Sequence, residues 1–488
     1  MKLLLNTIMV AVVLTALLPA ISAQANTYSS GQMETSLSEN SRLPQSTVEV
    51  TGPKGIITDF QLGPDDDFDL DAAVRRGLAV NPKIMAVRYQ LLGAEEAIRA
   101  ARAAFGFVAN TSYGYKHFDE EMKSFGVELS PQDVFSLNLN ITQPIFTGFR
   151  LTSTFERSEL TRDQAMTQIE ATELDLILQI QTNFFALLQA RDNVRSAQAS
   201  VARLKAQLVT TRSFFEVGLR PRLDILQAET DLAQAEQRLI EAEDGVQIQM
   251  TRLNTLLNLP VDNPTNYVGE LRYVPFTMRL SDGLAAAYRA RPGLIIAKKR
   301  VEIAEQEAKI AKSGLYPHVN AAYNYNRQGD SPDVSGFDSD SNTPDNEWNV
   351  GVSMQWRVFD WGQTYHSYKS ATQDVLKKQA EYQDLQLETT NDVQRDFLLI
   401  QDAAKRISVA RTALVGAREA FRLAEARYQT QVGTSVDVLN AQASLTQTEY
   451  NHHQALADYL TAIAKLNNKI GSKKIDILST DRHPSRIE

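Results

Sequence analysis

The stretch "FSLNLNIT", residues 135–142, alternates apolar and polar side chains at every position. Phe135, Leu137, Leu139 and Ile141 are apolar, and the residues that follow each of them are serine, asparagine, asparagine and threonine. A period of two is typical of a β-strand with two different faces. The stretch alone does not decide what those faces contact, because a half-buried strand of a water-soluble sheet alternates in the same way.

The same strand pattern recurs 213 residues later, in "WNVGVSMQW" (348–356). The shift continues past the strand, where Phe146 matches Phe359 and Asp224 matches Asp437. Upstream the shift is 210 residues, so that "NTSYGYK" (110–116) matches "NAAYNYN" (320–326). Matches at a fixed spacing indicate a duplicated structural unit. The difference between the two shifts falls in polar loops that we expect between the strands of each unit.

Each unit has the pattern of a helix, two strands, a long helix and a returning helix. We expect the first repeat over 67–258, with strands at about 106–117 and 134–145, and the second over 277–471, with strands at about 315–327 and 346–358. Residues 259–276 are predicted to link the repeats, and residues 472–488 to form a C-terminal tail. The first helix of each repeat is predicted as one unbroken helix, over about 68–104 and 278–313.

The long helices, predicted over about 149–214 and 362–427, carry apolar residues at alternating spacings of three and four. Ile180, Phe184 and Leu187 follow this spacing in the first of them. The pattern indicates coiled-coil packing, and at 1.5 Å per residue each helix is about 95–100 Å long. Taken alone, such heptads favour a structural rod.

Residues 1–25 have the features of a secretory signal peptide: the basic Lys2, an apolar run and the small-residue exit Ala23-Gln24-Ala25. A membrane anchor is the alternative, but the run is shorter than the roughly 20 residues of a spanning helix. Residues 26–66 are rich in Ser, Thr, Pro and Gly, and we expect a flexible leader. No later stretch is apolar enough for a spanning helix, so we expect strands to make any membrane contact.

Composition excludes several classes of function. A net charge of −9 and a pI of about 5.4 argue against a nucleic-acid-binding protein. The chain has no cysteine, which is compatible with export. The six histidines show no spacing typical of metal ligands, and no nucleophile or phosphate-binding motif is present. We therefore expect no catalytic residue, metal or cofactor, and a protein that is not an enzyme.

All four strands alternate over 8–10 residues, about the length that a tilted strand needs to cross a bilayer. Their second faces carry amides and hydroxyls with almost no charge, as a wetted lumen would. We predict that lipid of the outer membrane contacts the other faces, which include Phe135, Leu137, Leu139, Ile141, Trp348, Val350, Val352 and Trp356. Four strands are too few to close around a lumen, so several chains must share one barrel.

The order and the double occurrence of these features resemble the TolC family, the outer-membrane factors of tripartite efflux pumps and type I secretion systems. The strand exits "QPIFTGFR" (143–150) and "WRVFDWGQ" (356–363) and the helix tips at 214–230 and 427–445 carry the resemblance, which covers roughly 67–471. It implies a mainly α fold with membrane β structure, built from the duplicated unit. The homotrimer would form a 12-stranded β-barrel that continues as an α-helical coiled-coil barrel in the periplasm.

The resemblance also implies roles at the two tips. Turns for docking a periplasmic adaptor protein would be formed by Val217, Gly218, Leu219, Val432, Gly433 and Thr434; alternatively, each glycine simply closes a helix. A pore constriction would involve Asp437, Asn440, Asp224 and Tyr428. Three copies of Asp437 around one axis would favour cations, whereas an acidic residue on a solvated helix face is the alternative.

Two positions depart from the pattern of the family. Gly433 stands where family members can carry an arginine of the closing network, and Asn440 stands where a second acidic residue of the ring can occur. Arg220 and Arg222 are candidates to replace the missing cation.

The function that the resemblance implies is the passive exit duct of a tripartite efflux system. A periplasmic adaptor would open the duct, and an inner-membrane transporter, proton-driven (RND) or ATP-driven (ABC), would supply the energy. A channel for type I protein secretion is the alternative, since both systems use the same duct. A trimeric coiled-coil adhesin or envelope spacer is disfavoured, because it would place its membrane strands at one end of the chain.

Overall fold

The computed structural model describes residues 67–120, 122–124, 127–130, 132–335 and 346–474. The predicted signal peptide, the predicted leader and most of the predicted tail lie outside these residues. The first repeat contains α1 (Leu70–Val80), α2 (Pro82–Ala103), β1 (Val108–His117), β2 (Met122–Ser124), β3 (Val127–Ser130), β4 (Asp133–Phe146), α3 (Arg150–Glu216) and α4 (Arg222–Leu256). The second contains α5 (Leu280–Ala290), α6 (Pro292–Lys312), β5 (His318–Gly329), β6 (Asn346–Gln355), α7 (Gln363–Gln429) and α8 (Ser435–Lys469).

The first helix of each repeat is divided in two, so our prediction of one unbroken helix is wrong. The breaks fall at Asn81-Pro82 and Arg291-Pro292, where Asn81 and Arg291 have extended backbones with ψ of 126° and 114°. Proline disfavours a helical conformation in the residue before it, and it is well tolerated at the first position of a new helix. The Asn81 side chain accepts a hydrogen bond from the Lys83 amide and so caps α2.

The four long strands form one antiparallel sheet in the order β1-β4-β5-β6. β4 of the first repeat pairs with β5 of the second, so the sheet joins the two repeats. The segment between β1 and β4, which we predicted as a loop, contains the small hairpin β2-β3. Each hairpin of long strands has the same register, because both sequence shifts are constant along the strands.

The long helices form two antiparallel hairpins: α3 with α4, the first hairpin, and α7 with α8, the second hairpin. α3 also packs against α6 and α8 of the second repeat. The main apolar core surrounds the middle of α3 and the C-terminal half of α8, where Ile180, Phe184, Leu187 and Tyr459 are fully buried. The heptad residues predicted on α3 are therefore core residues at this level.

Candidate functional site

The registers place the apolar residues of all four strands on one face of the sheet, the apolar face. Leu139 lies opposite Thr111 of β1 on one side and Tyr325 of β5 on the other. Tyr325 in turn lies opposite Trp348 of β6. The predicted lipid-facing residues of β4 and β6 thus share this face. Trp356 comes one residue after the end of β6, where its Nε1 donates a hydrogen bond to the Leu315 carbonyl at 3.2 Å.

The opposite face of the sheet, the amide face, carries a row of four asparagines at one level. Asn110, Asn140, Asn324 and Asn349 are successive register partners across the four strands. The Asn140 amide donates to Asn324 Oδ1 at 2.5 Å, and the Asn324 amide donates to Asn349 Oδ1 at 2.9 Å. An amide side chain both donates and accepts, so the row is linked across the strands without a net charge.

Exposed aromatic residues surround the junctions between strands and long helices. Phe149 and its neighbour Gly148 have positive φ angles of 69° and 62°, as do the repeat-equivalent residues Gly362 and Trp361, with 81° and 54°. These turns leave Phe149 and Trp361 projecting from the fold, and the nearby Phe359 is exposed as well. Membrane–water interfaces are enriched in aromatic side chains at this level of a strand.

The turns at the ends of the two hairpins are called the first tip (217–221) and the second tip (430–434). Val217 and Leu219 of the first tip and Val432 of the second are more than half exposed. Gly218 ends α3 with a φ of 77°, as the helix-closing alternative predicts. For Gly433 that alternative is wrong, because the left-handed residue of the second tip is Gln431, with a φ of 65°.

Asp437 lies in the first turn of α8 and forms a capping box with Thr434. The Asp437 carboxylate accepts from the Thr434 amide at 3.0 Å, and Thr434 Oγ1 accepts from the Asp437 amide at 3.2 Å. These bonds from the Thr434 backbone and side chain lower the pKa of Asp437. The ionised carboxylate therefore stabilises the start of α8 above its unfolded-state pKa, and this contribution is lost as pH falls through the lower folded-state pKa. The Thr-x-x-Asp spacing announces this cap in the sequence.

The other three residues of the predicted constriction lie in different surroundings. Asn440 is exposed one turn after Asp437, on the same side of α8. Tyr428 is fully buried, and its hydroxyl lies 3.0 Å from Thr211 Oγ1. Asp224 is half-buried at the start of α4, and within the described part of the chain its side chain has no hydrogen bond. The structure thus joins Tyr428 to α3, not to Asp224.

Three residues between α3 and α8 have the order of a nucleophile, a base and an acid. Ser196 Oγ lies 3.3 Å from His453 Nε2, and His453 Nδ1 lies 3.6 Å from Asp192 Oδ2. Ser196 is buried in the packed flank of a helix, so no substrate carbonyl has access to it. This is a polar link between helices. No other grouping in the described ranges brings three acidic or imidazole side chains close enough to hold a metal ion.

The longest helices of the chain are amphipathic. Among the residues that the structure describes, none of the helices combines the length and the apolarity that a membrane-crossing helix has.

Comparison with known proteins points to one family. The family model of outer membrane efflux proteins matches residues 73–259 and 284–472, one range in each repeat. The outer membrane protein TolC of Vibrio cholerae is 24% identical over 400 residues, which cover 80% of this chain and 88% of that protein. The alkaline protease secretion protein AprF of Pseudomonas aeruginosa is 23% identical, over 68% of this chain and 69% of that protein.

The fold is shared with solved structures. The outer membrane protein VceC of Vibrio cholerae superposes with a TM-score of 0.71 at 20% identity, over 83% of this chain and 96% of VceC. The resemblance to the TolC family that the sequence predicts is confirmed by these matches.

Proposed function

Because the chain belongs to the outer membrane efflux protein family, we propose that three copies of it form the exit duct of a tripartite efflux system. It is an outer-membrane protein that extends into the periplasm, and it is not an enzyme. In this proposal a periplasmic adaptor binds the tips and an RND or ABC transporter of the inner membrane supplies the energy. The two-faced sheet with free edges is the observation that carries the proposal.

The edges of the sheet support an assembly of several copies. β1 and β6 are the edge strands of the four-stranded sheet, and open edges of this length are rarely left unpaired. The pairing of β4 with β5 is a pattern for the missing contact, since β6 is the repeat equivalent of β4 and β1 that of β5. In β4-β5, Ile141 lies opposite Tyr323. Their equivalents are Met354 and Tyr113, which would meet between copies, with three chains giving 12 strands.

The long helices support the same arrangement. α7 carries an exposed apolar stripe at a spacing of 11 residues: Tyr365, Leu376, Leu387, Leu398 and Val409, each 48–72% exposed. Eleven residues make three helical turns, so the stripe runs almost straight along α7. The equivalent positions of α3 at 174, 185 and 196 are buried, and α3 packs there against the second repeat of the same chain. A second copy would cover the stripe of α7 in the same way.

The faces of the sheet and the tips have separate roles in this duct. The apolar face would contact lipid and the amide face would line the lumen. Val217, Leu219 and Val432 are exposed apolar side chains at the tips, and they would contact the adaptor together with Gly218, Gly433 and Thr434. Asp437 and Asn440 would line the narrowest level of the pore, with Asp224 and Tyr428 bracing the helices beside it.

Currents and phenotypes together test this function. The purified protein is expected to give stepwise currents in planar bilayers, and a strain that lacks the gene is expected to become sensitive to small toxic molecules. Wild-type protein expressed in that strain should restore resistance. The similarity to AprF supports a second candidate, type I protein secretion. A deletion strain with normal resistance and a protein missing from its medium would favour secretion over efflux.

Charge at the constriction gives a further prediction. Asp437→Asn keeps an oxygen that accepts the hydrogen bond from Thr434, but it removes the negative charge. If three copies of Asp437 surround the pore axis, the variant should lose much of the cation selectivity of the wild type, because a ring of carboxylates repels anions. Reversal potential in a salt gradient measures this selectivity. An unchanged reversal potential would mean that Asp437 only caps α8 and that the constriction lies elsewhere.

A further inference from the structure

Arg220 of the first tip contacts two residues of the second hairpin. Its Nη2 donates a hydrogen bond to the Gly433 carbonyl at 2.7 Å, and its Cζ lies 5.1 Å from the centre of the Tyr428 ring. The guanidinium is half-buried, which strengthens both the charged hydrogen bond and the attraction of a cation to a ring face. One side chain thus ties the end of one hairpin to the end of the other.

Tyr428 is held from both sides. On the α3 side, its hydroxyl lies 3.0 Å from Thr211 Oγ1 and its ring centre lies 5.5 Å from that of Phe214. On the other side the Arg220 guanidinium covers its ring. The ring is fully buried as a result, so the second tip is fixed to α3 only while these contacts hold.

The internal duplication accounts for the pairing of Arg220 with Gly433. The two residues occupy equivalent positions of the two repeats, 213 residues apart. A Cβ atom at Gly433 would lie 3.1 Å from the Cβ of Arg427 and 3.2 Å from its carbonyl carbon. The second tip therefore has no room for a side chain at this position without a shift of α7. The first tip, where the equivalent residue is an arginine, supplies the cation.

The seam between α3 and α8 above the tips is polar. Arg203 Nε donates to Gln442 Oε1 at 2.7 Å, and the Gln442 amide donates to Ser200 Oγ at 3.1 Å. Hydrogen bonds of this kind exchange for bonds to water at a small net cost. The large apolar core lies further from the tips, around Phe184 and Tyr459. Contacts at the very end of the seam therefore decide whether the two hairpins stay together there.

We propose that Arg220 is the latch of the periplasmic entrance: it holds the second hairpin against the first, and its release from Tyr428 and Gly433 widens the pore. The proposal rests on the channel function stated above. It assigns to the first tip the cation that the sequence comparison with the TolC family places at position 433.

Single-channel recording in planar bilayers tests the latch. Arg220→Ala is expected to raise the conductance several-fold over the wild type, because both contacts to the second hairpin are lost. Arg222→Ala is the matched control, since Arg222 is an exposed arginine two residues along the same tip and its loss changes the net charge equally. The control is expected to conduct like the wild type. Arg220→Lys keeps the charge without the planar fork, and it should give an intermediate conductance.

The outcomes separate the latch from the channel function. Wild-type protein that gives no currents would overturn the proposed function itself. Wild-type currents that Arg220→Ala leaves unchanged would overturn the latch alone. An equal increase in Arg222→Ala would also overturn it, because the effect would then belong to the charge of the tip. If Arg220→Ala yields too little assembled protein to record, Arg220→Lys decides, and a wild-type conductance in that variant contradicts the stacked geometry.

Discussion

Leu139→Arg is expected to remove most of the assembled protein from the outer membrane. Leu139 lies in the middle of β4 on the apolar face, between Thr111 and Tyr325. An arginine at the midplane of a membrane strand costs about 2–4 kcal/mol, and every chain of the assembly would bear this cost. The amount of oligomer extracted from the outer-membrane fraction in mild detergent measures the effect.

The adjacent residue provides the control. Asn138 lies on the amide face, opposite Ser112 and Asn326, so Asn138→Arg is expected to assemble normally and to change only the conductance. Ser353→Arg, on the same face of β6 opposite Asn320, should behave alike. Equal losses from both faces would contradict the assignment of lipid to the apolar face, and would indicate a sheet packed in a water-soluble core.

Phe184→Ala is expected to lower the free energy of unfolding by about 3–5 kcal/mol, the usual range for removing a buried phenylalanine ring. Phe184 is fully buried in the main core, where its ring stands edge-to-face to Tyr267 with the centres 6.1 Å apart. Gly269 lies against the same ring, since a Cβ there would be 3.2 Å from Phe184 Cε1. Denaturant unfolding in detergent, followed by circular dichroism, measures the change.

Phe397→Ala is the matched control for this variant. Phe397 is the repeat equivalent of Phe184, but it is only half-buried within the chain and contacts Phe276 with ring centres 6.0 Å apart. The same substitution should therefore cost less there. A loss at Phe184 that is no larger than the loss at Phe397 would contradict the position of the main core.

Patterns that are local in the chain could be predicted from the sequence. The period of two around Leu139 and the three-four spacing around Ile180 each depend on residues within one element, and the duplication carries both patterns into the second repeat. The family follows from the order of these elements. The break at Pro82 could have been predicted too, because proline is a start signal that helical periodicity hides.

Contacts between distant residues could not be predicted in the same way. The asparagine row exists only because the registers bring Asn110, Asn140, Asn324 and Asn349 to one level, and no local pattern fixes the register between β4 and β5. The contact of Arg220 with Tyr428 depends on how the first hairpin crosses the second. The sequence offered Arg220 and Arg222 as equal candidates, and the structure separates them by placing Arg220 against the Tyr428 ring.

Cross-linking between copies tests the central claim, a shared barrel closed by β6 of one chain and β1 of the next. The natural chain has no cysteine, so a pair of introduced cysteines reacts without background. Tyr113→Cys combined with Met354→Cys is expected to give disulfide-linked dimers and trimers in outer membranes, with no larger species. Tyr115→Cys combined with Met354→Cys, displaced by two residues on the same face, is expected to cross-link poorly. Monomers only from the first pair, or efficient linkage only from the second, would contradict the shared barrel in this register.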